Sequence, residues 1–330
     1  MRLFENARYP FMEWRTRAYL ITAVLLVVGI GAMIYNVAST GSWLNYGVDF
    51  TGGSMVQVEF KRPTTVEQIR AAAARGGHDD WEIARFGGSD EFVIRMPSFE
   101  QQAGSDAAAR VTQGLSSSYQ PADFDVVRTE ALGAKVGDEL QLKALWAILI
   151  SFAATLAYLG IRFEWRFGLA AVIATAHDIL ITLGFLAVTR TEISLTTVAA
   201  LLTIVGYSLN DTIVVFDRIR ENLAKPRRAG VGYMQLLNTS INETLSRTVL
   251  TGGSTLATLL ALYFFGGGVI RDFAMVLLLG IVIGTFSSIF VASPALYEIE
   301  KRWPKYNAKG PARSSTSSRT SRSASSSALV

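Results

Sequence analysis

The stretch that decides the fold is residues 194–218, SLTTVAALLTIVGYSLNDTIVVFDR, a nearly unbroken apolar run that ends in charged residues. A helix needs roughly 20 predominantly apolar residues to cross the hydrocarbon core of a bilayer. Asp211 lies inside this run, ahead of Asp217 and Arg218, which mark its polar end. An ionisable side chain inside a span indicates a functional site, because its burial is unfavourable unless it is paired or hydrated.

Five more apolar runs predict that the chain crosses a membrane six times. Half of the 330 residues are apolar and 18% are charged, whereas an ordinary soluble domain carries about 25% charged residues. The six predicted spans are residues 18–37, 142–161, 167–188, 194–216, 249–268 and 273–296. In the last of these, Gly280 and Gly284 have the small-xxx-small spacing of a close helix contact.

The lysines and arginines predict the orientation of these spans. With the N-terminus inside, the four inner segments carry 4, 2, 6 and 7 basic residues, and the two short outer loops hold only Arg190 and Arg271. Because cytoplasmic loops carry the excess of Lys and Arg, we expect a multi-pass inner-membrane protein with both termini in the cytoplasm. Residues 1–17 are then a cytoplasmic segment ahead of a retained signal-anchor, and residues 217–248 a cytoplasmic loop.

Residues 38–141 have the mixed polar pattern of a folded α+β domain, which this orientation places in the periplasm. The strand and helix patterns follow the order ββαββαβ and predict a ferredoxin-like packing with helices on one face of a sheet. Thr64 and Glu67 have the spacing of a capping box at the first helix. The predicted strands are 45–51, 55–60, 81–86, 91–96 and 124–130, the helices are 64–75 and 99–115, and residues 87–90 form a hairpin turn.

Several classes of chemistry are excluded by composition. The chain has no cysteine, and it has no Walker motif and no cluster of metal ligands, so we expect no ATPase, no other enzyme activity, no metal and no organic cofactor. The net charge of +4 does not indicate nucleic-acid binding, because the basic residues flank the spans. Residues 297–330 are rich in Ser and Arg, and we expect them to be a disordered cytoplasmic tail.

Asp211 and Arg247 together predict a proton-binding site. Arg247 lies where the cytoplasmic loop re-enters the membrane as the fifth span, so its side chain can reach the depth of Asp211 if the fourth and fifth helices pack together. Desolvation favours the protonated acid and a nearby cation favours the carboxylate, and the two effects together leave the group able to change protonation. Two alternatives stay open: hydrogen-bonding links between helices, and an Arg247 that only anchors the membrane surface.

Other polar residues in the spans support this site. His177 and Asp178 lie in the middle of the third span, and Tyr207, Ser208 and Asn210 precede the fourth-span carboxylate. Histidine titrates near physiological pH, so His177 can extend a proton relay, although a neutral, hydrogen-bonded histidine fits equally. The hydroxyl and amide groups can hold the carboxylate or a chain of waters.

These motifs resemble the SecD/SecF protein-export family, and within it the SecF proteins, over about residues 15–300. Residues 206–221, GYSLNDTIVVFDRIRE, match the family hallmark, and Asp49, Phe50, Thr51, Gly52 and Gly53 match the motif that SecD and SecF share after the first span. The resemblance implies a proton site at Asp211 and Arg247. It also implies a SecD partner that completes a twelve-helix assembly similar to the resistance-nodulation-division (RND) transporters.

The resemblance further implies docking on the SecYEG channel, YajC and YidC as additional partners, and an unfolded preprotein as substrate moved outward by proton influx. Two other classes remain open. One is a stand-alone RND-type exporter, although such a chain normally has twelve spans and two exported domains. The other is a structural scaffold that moves no protons.

Overall fold

Six long apolar helices form the membrane-spanning part of the chain. The computed structural model describes residues 4, 7–86, 90–96, 107–132, 134–162, 164–225, 232–266 and 268–306. The long helices are α1 (Arg15–Thr40), α5 (Ala134–Arg162), α6 (Trp165–Thr189), α7 (Leu195–Ala224), α8 (Tyr233–Phe265) and α9 (Gly268–Ser287). A π-helix (Ser288–Ala292) carries α9 directly into α10 (Ser293–Arg302).

Two of these helices begin well before the apolar runs that predicted them. The helix α5 begins at Ala134 rather than residue 142, and α8 begins at Tyr233 rather than residue 249. Residues 217–224 and 233–248 of the predicted loop are therefore helical, which corrects that prediction. At 33 residues, α8 is about 50 Å long and exceeds the roughly 30 Å of hydrocarbon. Residues 297–302 of the predicted disordered tail instead belong to α10, which corrects that part of the prediction, and the tail beyond residue 306 lies outside the described residues.

The α+β domain is a four-stranded antiparallel sheet covered by two helices. In chain order its elements are β2 (Gly53–Phe60), α3 (Val66–Arg75), β3 (Glu82–Arg85), β4 (Glu91–Met96), α4 (Ala107–Leu115) and β5 (Phe124–Leu132). The strand order β3-β4-β2-β5 is the ferredoxin-like arrangement that the sequence predicts. Buried apolar residues of the sheet and both helices, among them Val56, Ile69, Phe92 and Val111, form its core.

The start of this domain differs from the sequence prediction. Of the predicted strand 45–51, only β1 (Asn45–Tyr46) is extended, and it pairs in parallel with β6 (Glu192–Ile193) between α6 and α7. Residues Val48–Thr51 instead form a helical turn, α2. The predicted cap at Thr64 is also wrong by one residue, because Thr65 forms the capping box with Gln68. The turn at 87–89 and residues 99–106 lie outside the described residues.

Helices α6, α7 and α9 form the centre of the bundle, and α1, α5 and α8 lie at its outside. Glycines permit the closest helix crossings: a Cβ added at Gly29 of α1 would lie 2.8 Å from the Cα of Gly184 in α6. Similarly, a Cβ at Gly284 of α9 would lie 3.0 Å from the Cβ of Ser208 in α7, and one at Gly280 would overlap Ile204. The predicted helix contact at Gly280 and Gly284 is thus confirmed. This contact packs α9 closely against the part of α7 that carries Asp211.

Candidate intramembrane proton site

The carboxylate of Asp211 is held by hydroxyl groups from two other helices. Thr248 of α8 donates from Oγ1 to Asp211 Oδ1 at 2.7 Å, and Ser288 of the π-helix donates from Oγ to Oδ2 at 2.6 Å. Asp211 itself is only partly covered within this chain. A carboxylate on a membrane helix is thus satisfied by neutral donors, each of which supplies one hydroxyl.

A second carboxylate, Asp178 of α6, is completely buried beside it. Its Oδ1 lies 2.8 Å from His177 Nδ1, and its Oδ2 accepts hydrogen bonds from Ser208 of α7 and, at 2.8 Å, from Ser287 of α9. His177 Nε2 is buried and has no hydrogen-bond partner among the described residues. Asp178 therefore has three side-chain partners from three helices.

The π-helix connects the two carboxylates through adjacent serines. Ser287 bonds Asp178 and Ser288 bonds Asp211, at the point where α9 changes from α-helical to π-helical geometry. Single π-helical turns inside α-helices occur frequently at functional sites, because the wider turn redirects neighbouring side chains. The result is two hydrogen-bonded clusters, one of Asp178 with His177, Ser208 and Ser287 and one of Asp211 with Thr248 and Ser288. They are joined through the chain between Ser287 and Ser288, and together we call them the network.

Arg247 precedes Thr248 on α8 but is exposed within this chain. No ion pair within 4.0 Å joins it to Asp211 in the part of the chain that the structure describes. The pairing of the two residues therefore stays a prediction. The guanidinium is available to another chain or to a rearrangement of α8.

Of the five residues predicted to support Asp211, His177, Asp178 and Ser208 take part in these hydrogen bonds, whereas Tyr207 and Asn210 do not among the described contacts. Asn210 is exposed on the outer face of α7, and Tyr207 is half-buried against the apolar core near the α+β domain. Sequence reasoning missed Thr248, Ser287 and Ser288. Their signal was a hydroxyl side chain within an otherwise apolar span, which is too common in membrane helices to single them out.

Polar and small residues also cover one outer face of the bundle. Seven of the exposed positions on α7 and α8 are polar or glycine and repeat at helical spacing, and we call them the polar face: Thr203, Gly206, Asn210, Arg247, Thr251, Ser254 and Thr258. Polar groups are unfavourable against lipid and almost always face the interior of a bundle. The polar face therefore indicates contact with another protein, next to Asp211.

The motif Asp49–Gly53 lies at the end of the bundle that carries the α+β domain, which we call the domain side. Asp49 Oδ2 accepts a hydrogen bond from the backbone N–H of Leu195, the first residue of α7, at 2.8 Å. Phe50 is buried in the core there. Gly52 and Gly53 have φ values of 71° and 111°, a region that favours glycine because it lacks a Cβ. The motif is a tight connection between the domain and the helix that carries Asp211.

Charged groups hold the α+β domain against the same end of the bundle. Arg95 of β4 forms an ion pair with Glu192, next to the start of α7, and Arg128 forms one with Glu130 inside β5. Burial raises the pKa of Glu130, with the carboxylates of Asp49 and Glu192 acting in the same direction and Arg128 opposing them. The domain is thus attached to the bundle by side chains whose charges interact. Among the described residues no group of three His, Asp or Glu side chains is placed to hold a metal ion.

The fold and the network together define half of an RND-like membrane unit with a ferredoxin-like domain. The family described as protein export membrane protein SecD/SecF, C-terminal, matches residues 111–302, and the SecD/SecF GG motif matches residues 37–64. Because the first match covers more than half of the chain, the chain belongs to the SecD/SecF protein-export family.

Individual relatives agree with this assignment. The chain is 45% identical over 318 residues to the protein translocase subunit SecF of Gemmatimonas aurantiaca, covering 95% of this chain and 93% of that protein. The crystal structure of SecDF, a translocon-associated membrane protein from Thermus thermophilus, matches with a TM-score of 0.80 at 36% identity. That match covers 92% of this chain but 40% of the SecDF chain. A super-membrane-facing form of SecDF matches with a TM-score of 0.63, covering 90% of this chain and 39% of that one.

Proposed function

We propose that this chain is the SecF-type subunit of a bacterial inner-membrane protein translocase, and that with SecD it couples proton influx to late translocation of unfolded preproteins. The observation that carries the proposal is Asp211, a membrane carboxylate bound by hydroxyl groups and bordered by a polar face. The relatives named SecF and the likeness to SecDF support SecD as the partner.

The chemistry of the network suits a group that gains and loses a proton. A hydroxyl can donate to a carboxylate and can rotate to accept from a carboxylic acid. The hydroxyls of Thr248 and Ser288 therefore fit both protonation states of Asp211 without an unpaired polar atom. A fixed ion pair would instead favour the charged state.

The order of the groups suggests a direction for the proton. Helix α7 runs away from the domain side, and Ser208, which bonds Asp178, precedes Asp211 by about 4.5 Å along its axis. A proton that enters from the domain side meets His177 and Asp178 before it reaches Asp211. With the domain in the periplasm, as the distribution of basic residues favours, this direction is proton influx.

The site is incomplete in this chain alone. Asp211 is partly exposed and the polar face has no partner within the described residues. A SecD chain on this face would cover Asp211 and Arg247 and supply further membrane carboxylates. In this proposal the assembled unit docks on SecYEG, with YajC and YidC as additional partners, and the proton is the only coupling ion.

The test is proton-driven translocation of a preprotein by Asp211→Asn, reconstituted in vesicles with SecD and SecYEG. We expect the variant to insert and to pair with SecD but to lose the proton-dependent part of translocation. Asp217→Asn is the matched control, because Asp217 is exposed on the same helix and forms surface ion pairs with Arg162 and Arg220. Normal proton-dependent translocation by Asp211→Asn would overturn the proton relay and favour the scaffold.

Whether this chain pairs with SecD distinguishes the proposed function from that of a stand-alone exporter. Replacing Ser254 by Trp on the polar face should reduce co-purification with SecD, because the larger side chain blocks helix contact. Leu262→Trp, an exposed apolar position later on α8, is the control and should leave co-purification unchanged. An active homodimer that ignores SecD would favour the stand-alone exporter.

A further inference from the structure

An apolar cavity of about 430 Å³ lies between the outer helix α5 and the central helices α6 and α7. Its walls include Ala144 and Ile148 of α5, Leu183 of α6, and Leu202 and Val205 of α7. This volume is in the range of pockets for small apolar ligands, which are about 300–1,000 Å³. The cavity is separate from the hydrogen-bonded network of Asp178 and Asp211.

The cavity opens toward the bilayer. Helix α5 packs loosely on the rest of the bundle, and Leu142 and Leu145, which line the cavity, are 57% and 53% exposed. Because a bilayer surrounds the bundle, the molecules next to this opening are phospholipids. An apolar segment of lipid therefore has direct access to the cavity.

The depth and rim of the cavity match one leaflet. Asp138 at the rim and Ile148 at the inner end are about 15 Å apart along α5, half of the roughly 30 Å hydrocarbon core. Trp43 and Tyr46, which follow α1 on the domain side, also line the cavity, and Trp and Tyr are enriched at the level of the head groups. Asp138 is the one charged residue among the described residues that line the cavity, and a carboxylate favours a head group with an amine.

We propose that this cavity binds one acyl chain of an amine-bearing phospholipid from the domain-side leaflet, with its head group beside Asp138. The site needs no proton coupling, and it stands independently of the proposed export function. Two competing occupants are a helix of the SecD partner and an apolar segment of an exported protein.

The test uses a phosphatidylethanolamine that carries a photoreactive diazirine in its acyl chain. The full chain with its SecD partner is reconstituted in phosphatidylethanolamine–phosphatidylglycerol vesicles, and the labelled residues are identified by mass spectrometry. We expect labelling on Ile148 and Leu202 that saturates with the probe and is displaced by unlabelled phosphatidylethanolamine. Ile150, which lies outside the cavity and is 62% exposed, is the control residue. Its labelling should rise with the probe concentration without saturating, as expected for contact with bulk lipid.

A substitution that fills the cavity, compared with the same substitution outside it, gives a variant and its matched control. Ala144→Phe should reduce labelling of Leu202 about tenfold, which corresponds to ~1.4 kcal/mol of lost binding free energy. Ala154→Phe, at an exposed position of α5 outside the cavity, should leave it unchanged. Equal effects of the two variants would overturn the proposal. Two results with the wild-type chain would also overturn it: labelling that never saturates, and labelling that disappears when SecD is bound. These two results do not depend on the folding of any variant.

Discussion

Two carboxylates on neighbouring helices have different environments, and this difference assigns them different roles. Asp178 is completely buried with three side-chain partners, whereas Asp211 is partly exposed with two hydroxyl partners. A buried carboxylate that accepts hydrogen bonds from several helices holds those helices together, because separating them would leave it unpaired. We therefore infer that Asp178 mainly holds α6, α7 and α9 together, while Asp211 is the group with access to a partner.

At the scale of residues, Ser287→Ala tests this role of Asp178. The substitution removes one of the two hydroxyl donors to Asp178 Oδ2, and we expect it to lower the free energy of unfolding by about 1–3 kcal/mol. Thermal unfolding in detergent measures the change. Ser254→Ala is the control, because Ser254 is exposed and bonds only the carbonyl of Thr251 in its own helix. Equal stability of the two variants would contradict a structural role for the Ser287 hydrogen bond.

At the scale of elements, the glycine crossing of α1 and α6 makes a prediction with a control on the same helix. Gly29→Leu places a side chain against the backbone of Gly184, so the helices must separate, and we expect a loss of about 1–3 kcal/mol. Gly31→Leu should be nearly neutral, because a Cβ there meets nothing within 4 Å. The midpoint of thermal unfolding compares the two variants, and similar midpoints would show that the crossing is not tight.

The hydrogen bond between Asp49 and the first residue of α7 gives a second prediction about elements. Asp49→Ala removes the acceptor for the Leu195 N–H and should destabilise the protein by about 0.5–2 kcal/mol, whereas Asp49→Asn keeps an acceptor and should retain most of the stability. Hydrogen exchange at the first turn of α7 reports the local effect. If both variants behave as the wild type, the motif does not anchor α7.

At the scale of the whole molecule, the α+β domain touches the bundle where α7 begins. Arg95 and Glu192 form an ion pair across this junction, and both side chains are mostly covered. If translocation moves the domain relative to the bundle, this movement must break the ion pair.

Cross-linking the junction tests that movement. The chain has no cysteine, so Arg95→Cys with Glu192→Cys can be joined by a short, reducible bis-maleimide without background reaction. We expect the cross-linked protein to lose proton-driven translocation in vesicles and to regain it after reduction. Lys61→Cys with Asp125→Cys, an ion pair within the domain, is the control and should remain active when joined. Undiminished translocation by the cross-linked junction would show that this contact stays closed.

The sequence by itself determined the six spans and the ferredoxin-like domain, because hydrophobic length and strand or helix periodicity are local properties of the chain. It also identified Asp178 and Asp211, since a charge inside an apolar run is visible without a fold. Only the tertiary structure brought Thr248, Ser287 and Ser288 to these carboxylates and turned Val48–Thr51 into a helical turn next to the start of α7. Within the described residues it also left Arg247 without an ion pair to Asp211. These features depend on which helices are neighbours and on how far each is rotated, and a residue's own segment does not contain that information.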